Sequence, residues 1–377
     1  MNKPRVAWLL TSAFYYWHPM LSELTQRVSQ MTAFVANWRG YAPGFEDRFA
    51  IDIVGTRKII PLLQSKTSYG SNFTLLPLNI VNRLLAFKPE VIFSNSFGMW
   101  TLLALLSKPL GRWRVVIAYE GSSPGVDYRN SPPRLWLRQR MVQLADACIS
   151  NSQAGRDYLI QYLNAPEESV FVQPYEVPAA TALTEAEELA VPEPAHRPCF
   201  IFVGSINARK GVDLLLKSCV KLAERGYHNY TVWMIGDGEE RSPLEAFCAE
   251  HGLVEQVRWM GRVNYDQLGS YFRQADVFVL PTLEDTWGMV VLEAMVLGKP
   301  ILCSQWAGAS ELVENGRNGF RFDPHQPEEL AGYMQKFIDH AELVTEMGQQ
   351  STEVMTHYTP EAAADFLVKV ADFAMTR

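Results

Sequence analysis

Two pairs of charged residues are the first candidates for chemistry. Arg209 and Lys210 are adjacent and precede a glycine and an apolar helical segment. A loop that presents two cations at the start of a helix can bind a diphosphate through side chains and backbone N–H groups together. Asp285 and Glu293 are eight residues apart, close to two helical turns, so both can face one ligand. Carboxylates placed in this way suit sugar hydroxyls as hydrogen-bond partners.

The segment that carries the two carboxylates has a strand, a turn and a helix in succession. It follows the predicted strand Val277–Leu280, turns at Gly288 and continues as a helix to Gly298. The N–H groups around Gly288 and Met289 would then form an anion site at the helix N-terminus. Glu293 lies among apolar residues, where a carboxylate is costly to bury without a partner. The alternatives are that Glu293 caps or solvates the helix and that the two cations lie on a solvated loop.

Short apolar runs alternate with helical patterns in the first half of the chain. The runs are continuous rather than alternating, which is typical of parallel strands buried on both faces. The predicted strands are Val6–Leu10, Thr32–Val35, Ile51–Val54, Val91–Asn95, Val115–Tyr119, Ala147–Asn151 and Val170–Gln173. The predicted helices are Met20–Met31, Pro77–Phe87, Trp100–Ser107 and Pro133–Ala145. The pattern predicts an α/β, doubly wound domain over residues 1–177.

A second domain of the same kind follows a linker. A chain of 377 residues is long for one core, which seldom grows beyond about 250 residues. Residues 178–198 are rich in Pro, Ala and Glu and are interpreted as the linker. Strands are then predicted at Cys199–Val203, Thr231–Ile235, Val257–Met260, Val277–Leu280 and Pro300–Cys303, in a domain over 199–357. Residues 358–377 contain an amphipathic helix that we expect to cross back to the first domain.

Ligands of open α/β sheets bind outside the carboxyl ends of the strands, so residues just after each strand are site candidates. In the second domain Gly204 and Gly236 occupy such positions. The sequence Gly236-Asp237-Gly238 is only a partial G-x-G motif, and close backbone packing explains it as well as a ligand does. In the first domain Glu120 follows the strand Val115–Tyr119.

An aromatic loop follows the first strand. It contains Tyr15, Tyr16, Trp17 and His18, which we predict to bind a sugar or lipid substrate. Aromatic rings of this kind stack on a sugar ring or contact a lipid. Packing against the neighbouring helix is an equally good explanation.

Composition excludes several classes of protein. Hydrophobic residues make up 48% and charged residues 20%, which excludes disordered and collagen-like chains. The five cysteines are scattered without a C-x-x-C pair, so we expect neither a disulfide framework nor a zinc site. The apolar stretches Phe97–Leu106 and Val6–Leu10 are too short for a membrane span or a signal peptide. We expect a cytoplasmic protein.

The charge is distributed unevenly. Residues 1–178 carry 18 Lys and Arg against 12 Asp and Glu, a balance of +6, and the remaining residues have a balance of −13. A basic half suggests an anionic membrane surface, although the charges can also simply be solvated. The basic and apolar residues expected at that surface are Arg134, Leu135, Trp136, Leu137, Arg138, Arg140 and Met141, together with Lys108, Arg112, Trp113 and Arg114. The alternative is a buried helix whose arginines border the core.

Residues 200–324 contain a series of motifs in a fixed order. They are Gly204 with Arg209-Lys210-Gly211, Gly261, Ala275–Pro281, Asp285–Pro300, and Gly308-Ala-Ser-Glu311 through Gly319. Together these motifs resemble those of the retaining glycosyltransferases of family 4. The resemblance implies the GT-B architecture, in which two facing Rossmann-like doubly wound domains enclose a deep interdomain cleft. It also implies transfer of a hexose from a nucleotide-diphosphate sugar to an acceptor hydroxyl of a glycolipid, a lipid-linked compound or a polysaccharide precursor.

The resemblance assigns roles to individual residues. Glu293 would hold the ribose hydroxyls of the nucleotide sugar, and Arg209 and Lys210 would neutralise its diphosphate. The amides of Trp287, Gly288, Met289 and Val290 would face the diphosphate and the donor sugar. Backbone contacts to the base are expected near Arg262 and Val263. No D-x-D metal motif is visible, so we expect no metal or other cofactor, and nucleic acid is not an expected partner.

Two positions depart from the family pattern. Asp285 stands where the family has glutamate, and Glu284 beside it is out of register. Glu120 stands where the family usually has a histidine near the donor sugar, and His18 is the only histidine before the linker. Glu120 can accept a hydrogen bond from a sugar hydroxyl or stabilise a developing oxocarbenium ion. The alternative is a partly exposed carboxylate in a turn.

Other functions remain open at this point. A nucleotide-sugar epimerase would have the same architecture and would need no acceptor. The two departures also suit a catalytically silent protein that binds nucleotide sugars. A dinucleotide-dependent oxidoreductase is less favoured, because the loop after the first strand lacks the G-x-G-x-x-G turn.

Overall fold

The computed structural model describes residues 3–63, 65–184 and 190–377. The chain forms two compact units. Unit 1 comprises Met1–Gln64, Gly70–Val177 and Tyr358–Arg377, and unit 2 comprises Ser65–Tyr69 and Pro178–His357. Ser65–Tyr69 belongs to unit 2 although it comes from the first half of the chain, which no sequence pattern predicted.

Unit 1 is built on a seven-stranded parallel sheet with the order β3-β2-β1-β6-β7-β8-β9. Unit 1 also contains a separate two-stranded antiparallel sheet, β4-β5. The strands are β1 Arg5–Leu10, β2 Gln30–Val35, β3 Ala50–Ile53, β4 Lys58–Leu63, β5 Ser71–Leu75, β6 Val91–Asn95, β7 Arg114–Tyr119, β8 Ala147–Ser150 and β9 Val170–Val172. The helices are α1 His18–Arg27, α2 Ile80–Phe87, α3 Met99–Leu106, α4 Lys108–Gly111, α5 Pro124–Asp127, α6 Pro132–Leu144 and α7 Gln153–Asp157.

Most of the continuous apolar runs form buried strands, as predicted, but β3, at the edge of the sheet, is partly exposed. Apolar side chains of β1, β6 and β7 are almost completely buried because helices cover both faces of a parallel sheet. The predicted helix Met20–Met31 is wrong at its end: the helix stops at Arg27, Val28 is extended, and Met31 lies in β2. The pair β4-β5 was not predicted because Pro61 and the polar start of β5 interrupt the strand pattern.

Unit 2 is built on a six-stranded parallel sheet with the order β12-β11-β10-β13-β14-β15. Its strands are β10 Cys199–Val203, β11 Thr231–Ile235, β12 Val257–Gly261, β13 Val277–Leu280, β14 Ile301–Ser304 and β15 Gly319–Phe322. Its helices are α8 Ala180–Thr184, α9 Val212–Glu224, α10 Arg241–Glu250, α11 Tyr265–Gln274, α12 Met289–Val296, α13 Pro327–Asp339 and α14 Glu342–Met355. Helix α8 lies within the predicted linker, of which residues 185–189 are outside the described residues.

The last helix, α15 Pro360–Thr376, belongs to unit 1. It packs on α1, where Arg27 Nε lies 2.6 Å from Asp365 Oδ1. Gln173 Nε2 also donates to the Ala362 carbonyl at 3.1 Å. Burial of the apolar face of α15 holds the end of the chain on the first sheet.

No helix in the described part of the chain is both long and apolar enough to cross a bilayer.

Candidate functional site

The loops after β10 and β13 pack together at the carboxyl edge of the unit 2 sheet. Gly211 has φ +63°, and a Cβ at this position would lie 2.1 Å from the Pro281 carbonyl oxygen. Only glycine permits this approach. The Arg209 carbonyl accepts hydrogen bonds from Leu283 N at 2.8 Å and from Thr282 Oγ1 at 3.2 Å. The backbone that carries the two cations is therefore fixed against the backbone that carries the carboxylates.

Lys210 and Asp285 form an ion pair within this loop assembly. Their Nζ and Oδ2 atoms are 2.5 Å apart, and each side chain is only 12% exposed. Burial alone would raise the pKa of Asp285, but Lys210, with Arg209, holds the pKa below its usual value. Asp285 is thus ionised and orients the Lys210 ammonium group.

Arg209 is held by a backbone carbonyl and by an aromatic ring. Its Nη1 donates to the Glu284 carbonyl at 2.6 Å, and its guanidinium carbon lies 4.1 Å from the centre of the Tyr69 ring. Tyr69 N donates to Glu284 Oε2 at 3.1 Å, so Glu284 joins the assembly although it is out of register with the family pattern. Sequence reasoning missed Tyr69, and no motif around it could have indicated this position.

Helix α12 begins beside the ion pair. Gly288, at φ +94°, precedes its first residue, Met289. The N–H groups of Met289 and Val290 lie in the first turn, where helices have no intrahelical carbonyl partners for their donors. Trp287 is buried, and its carbonyl accepts from Ala309 N at 2.6 Å. The residue that precedes Gly288 is therefore held by its neighbours, and the start of α12 carries the partial positive charge of a helix N-terminus.

Glu293 is buried one turn further along α12, with 6% of its surface exposed. Burial raises its pKa to about 7, and a hydrogen bond with Tyr265 opposes this rise. Burial, and then Glu293 itself, raises the pKa of Tyr265 well above its usual value. The two carboxyl groups therefore differ: Asp285 is an ion-paired carboxylate, whereas Glu293 gains a proton near neutral pH. Sequence reasoning missed Tyr265, although it lies four residues past β12.

The remaining predicted donor residues follow β10, β11 and β12. Arg262 is exposed and Val263 is half-buried between β12 and α11. A Cβ on Gly236, where φ is +134°, would lie 1.8 Å from the Gly204 carbonyl oxygen. The close approach of the two backbones is therefore enough to explain why Gly236 is a glycine.

Glu120 lies in unit 1, directly after β7. Asn95 Nδ2, at the end of β6, donates to Glu120 Oε1 at 2.9 Å. The loop that follows is fixed by the buried carboxylate of Asp127, which accepts from Ser122 Oγ at 2.6 Å and from Arg129 Nε at 2.8 Å. Glu120 is therefore held in a defined position at the carboxyl edge of the first sheet.

The aromatic loop divides into exposed and buried members. Tyr15 is 38% exposed and Tyr16 is half-buried, whereas Trp17 and His18 are buried in the core of unit 1. Trp17 packs on Trp8, and His18 Nδ1 accepts from a backbone N–H at 3.0 Å. Burial lowers the pKa of His18 to about 4. For Trp17 and His18 the structure supports the packing interpretation, so contact with the acceptor is expected only from the two tyrosines.

Residues 3–63, 65–184 and 190–377 contain no group of three or more His, Cys, Asp or Glu side chains that could hold a metal ion. The five cysteines are free and buried.

Two family models match the chain. Residues 16–175 match the model described as Glycosyltransferase Family 4, and residues 183–354 match the model described as Glycosyl transferases group 1. Among curated relatives, the alpha-D-kanosaminyltransferase of Streptomyces kanamyceticus is 27% identical over 245 residues, which cover 63% of this chain and 63% of that protein. The chain spans less than two thirds of the length of the curated relatives it matches.

Solved structures match over almost the whole chain. The Anabaena protein Alr3699/HepE, in complex with UDP, matches with a TM-score of 0.72 and 16% identity over 97% of this chain and 98% of that chain. A glycosyltransferase from Rickettsia africae matches with a TM-score of 0.74 and 11% identity over 100% of both chains. These likenesses confirm the predicted GT-B fold class with two Rossmann-like domains. The chain belongs to the group 1 glycosyl transferases of glycosyltransferase family 4.

Proposed function

We propose that the protein transfers a hexose from a nucleotide-diphosphate sugar to an acceptor hydroxyl, with retention of anomeric configuration and without a metal ion. One observation carries the proposal: Arg209, Lys210 and the start of α12 are fixed together at the carboxyl edge of the unit 2 sheet. These are the groups that a diphosphate requires. The UDP in the Anabaena complex and the UDP-glucose in another complex of that protein make UDP-sugars the first donors to test.

In the proposed reaction the bond between the anomeric carbon and the diphosphate oxygen breaks, and its electron pair remains on the diphosphate. The acceptor oxygen bonds to the same face of the sugar, and its proton passes to the departing diphosphate. Negative charge on the diphosphate grows toward the transition state, so fixed cations beside it accelerate the reaction. Asp285 contributes by orienting Lys210 before the donor binds.

Glu293 is proposed to accept hydrogen bonds from both ribose hydroxyls. Its carboxylate is costly to ionise in the free protein, which is why its pKa is raised to about 7. Two hydroxyl donors would stabilise the ionised form and offset the cost of its burial. Discrimination against nucleotides without these hydroxyls would follow, because the buried carboxylate would then lack partners.

A thermal-shift screen of UDP, GDP, ADP and their sugars tests donor binding. A ligand at 100 times its dissociation constant stabilises a protein by about 2.7 kcal/mol. Candidate acceptors are then added to the selected donor, and release of nucleoside diphosphate is measured. A transferase releases it in an acceptor-dependent reaction. Release without an acceptor-linked product indicates an epimerase side reaction or hydrolysis, and binding without turnover indicates the catalytically silent alternative.

Glu120 is proposed to contact the donor sugar in place of the family histidine. Glu120→Gln keeps the shape and the hydrogen bond with Asn95, but it removes the negative charge that would stabilise an oxocarbenium ion. We expect a fall in kcat of about 10- to 100-fold with little change in donor affinity. Glu168→Gln, at an exposed carboxylate of unit 1, is the matched control. Unaltered kinetics in Glu120→Gln would leave Glu120 with a structural role.

A basic and apolar face of unit 1, the α4–α6 face, is proposed to contact an anionic membrane that holds a lipid-linked acceptor. Leu110 is 73% exposed and Trp136 is 59% exposed. Lys108 Nζ donates to the Leu144 carbonyl at 2.8 Å, which brings α4 next to the end of α6. The face consists of Leu106, Leu110, Arg112, Trp136, Arg140 and Leu144. Lys108 is not part of it, because Asp146 pairs with its ammonium group at 2.7 Å.

Three further residues predicted for this surface do not belong to it. Trp113 is buried and donates to the Ala104 carbonyl at 3.0 Å. Arg138 is buried, with Nη1 donating to the Asp127 carbonyl at 3.0 Å, and Met141 lies in the core. The apolar stem of an arginine can pack against a core while its guanidinium donates to backbone carbonyls. Arg138 does this, so its charge did not indicate an exposed position.

Flotation with vesicles tests the α4–α6 face. Each Lys or Arg near an anionic surface contributes about 1 kcal/mol, and salt screens the attraction. We expect recovery with phosphatidylserine vesicles at low salt, loss of most binding at high salt, and weaker recovery of Trp136→Ser. The matched control is Trp306→Ser, because Trp306 is an exposed tryptophan of unit 2. Equal recovery with neutral vesicles, or none at low salt, would contradict this part of the proposal.

A further inference from the structure

Tyr69 connects the groups that surround the proposed diphosphate position. It belongs to the five-residue segment Ser65–Tyr69 of unit 2. The Arg209 guanidinium carbon lies over its ring, 4.1 Å from the ring centre, and the Tyr69 hydroxyl lies 3.5 Å from Asp285 Oδ1. The hydroxyl also accepts from Thr286 N at 3.3 Å. One side chain thus touches the cation, the carboxylate and the backbone that leads into α12.

The backbone of Tyr69 is tied to the same loop. Tyr69 N donates to Glu284 Oε2 at 3.1 Å, and Glu284 is buried. The Glu284 carbonyl in turn accepts from Arg209 Nη1 at 2.6 Å. The ring of Tyr69 therefore contacts the arginine directly, and its backbone is bonded to the residue whose carbonyl accepts from the arginine. Burial raises the pKa of the Tyr69 hydroxyl to about 12, so the hydroxyl stays neutral and keeps its proton for Asp285.

An arginine side chain has many rotamers. A ligand that binds the side chain must fix one of them, which costs conformational entropy. Stacking on an aromatic face and a hydrogen bond from one terminal nitrogen reduce that freedom before the ligand arrives. Of the five N–H donors of the guanidinium, one on Nη1 is used for the Glu284 carbonyl. The donors on the other nitrogens are the ones that we expect an anionic oxygen to engage.

We propose that Tyr69 is a positioning residue, which holds the Arg209 guanidinium ready for the diphosphate of the donor. The inference rests on the proposed function, since it assumes that Arg209 binds the diphosphate. It goes beyond that function by assigning a role to a residue outside the strand-to-helix loops of the unit 2 sheet. Tyr69 acts through Arg209 and should therefore strengthen only the binding of the diphosphate. The binding of the nucleoside part of the ligand should not depend on Tyr69.

A double-mutant cycle tests this inference, with UDP and UMP as probes in calorimetric titrations of the full chain. Tyr69→Leu should weaken UDP binding about threefold to tenfold and leave UMP binding nearly unchanged. Tyr69→Phe keeps the stack and should retain most of the affinity. In the Arg209→Ala background, Tyr69→Leu should have less than about a twofold effect, because the two residues act as a unit. Tyr227→Leu is the matched control, at a half-buried tyrosine bonded to Asp339.

The outcomes separate this inference from the proposed function. If Arg209→Ala binds UDP as tightly as the parent, or if UDP, GDP and ADP all fail to bind the parent, the diphosphate assignment is wrong and the role of Tyr69 falls with it. If Arg209→Ala weakens UDP binding but Tyr69→Leu does not, or acts equally in both backgrounds, only the role of Tyr69 is overturned. UMP binding reports that each variant is folded, and Tyr69→Gln replaces Tyr69→Leu if the latter fails this control.

Discussion

Lys210→Ala should lower the turnover number by about 100- to 1,000-fold while weakening donor affinity only a few-fold. Removal of one fixed group that stabilises developing charge typically lowers kcat by about this factor. The effect falls on kcat because the negative charge on the departing diphosphate is greater in the transition state than in the bound donor. Initial rates at saturating and limiting donor, together with donor titrations, separate the two quantities.

The Lys210 experiment needs a control for folding. Removal of the ammonium leaves the buried carboxylate of Asp285 without its ion-pair partner, which can destabilise a protein. Lys210→Gln keeps a hydrogen-bond donor for Asp285 and should show the same loss of turnover in a more stable protein. Lys217→Ala removes a lysine that is 48% exposed on α9 and should leave kinetics unchanged. Normal turnover in Lys210→Ala, or loss of parental activity on adding a chelator, would point to another source of stabilisation.

Glu293→Ala should weaken nucleotide binding by about 100-fold or more at pH 8. Hydrogen bonds to a charged group contribute about 1.5–3 kcal/mol each, and the variant loses two of them and leaves both ribose hydroxyls unpaired. A loss of about 3 kcal/mol corresponds to more than a 100-fold change in the dissociation constant. Calorimetric titration measures it, and thermal unfolding shows that the variant is folded. Unchanged affinity in a folded variant would show that Glu293 does not hold the ribose.

The pH dependence of the parent provides a second readout for Glu293. Its folded pKa of about 7 lies above the ordinary value of 4.5, so the folded state holds this proton more tightly than the unfolded state. The resulting stability is fully present below about pH 4.5 and is lost as the pH rises through 7. The free energy of unfolding, taken relative to Glu293→Gln, should therefore fall over this window, by about 3 kcal/mol at most. Ribose binding should show the opposite trend and weaken below pH 7.

Much of the candidate site could be predicted because topology fixes where parallel strands end. Continuous apolar runs locate β10 and β13, and the residues that follow them must share one edge of the sheet. Strand positions alone therefore place Arg209, Lys210 and Asp285 at the same edge. Glu293 is an acidic residue in an otherwise apolar helix, which indicated that its carboxyl group needs a partner. In the free protein that partner is Tyr265.

The parts that sequence reasoning missed depend on contacts between distant segments. The contact of Tyr69 with Arg209 spans the two halves of the sequence, and no periodicity or motif around Tyr69 marks it. The error at His18 has the same origin: Trp38 and Phe49, from the segment between β2 and β3, pack against its ring, which is buried. An aromatic residue after a strand can line a site or fill a core, and only its tertiary neighbours decide which.

A crystal structure of the parent protein with the nucleoside diphosphate that it binds most tightly tests the central claim most directly. The account predicts both ribose hydroxyls within hydrogen-bond distance of the Glu293 carboxylate. It also predicts the diphosphate beside Arg209, Lys210 and the N-terminus of α12. A nucleotide bound at another edge of the sheet, or a diphosphate held only by groups other than these, would contradict it.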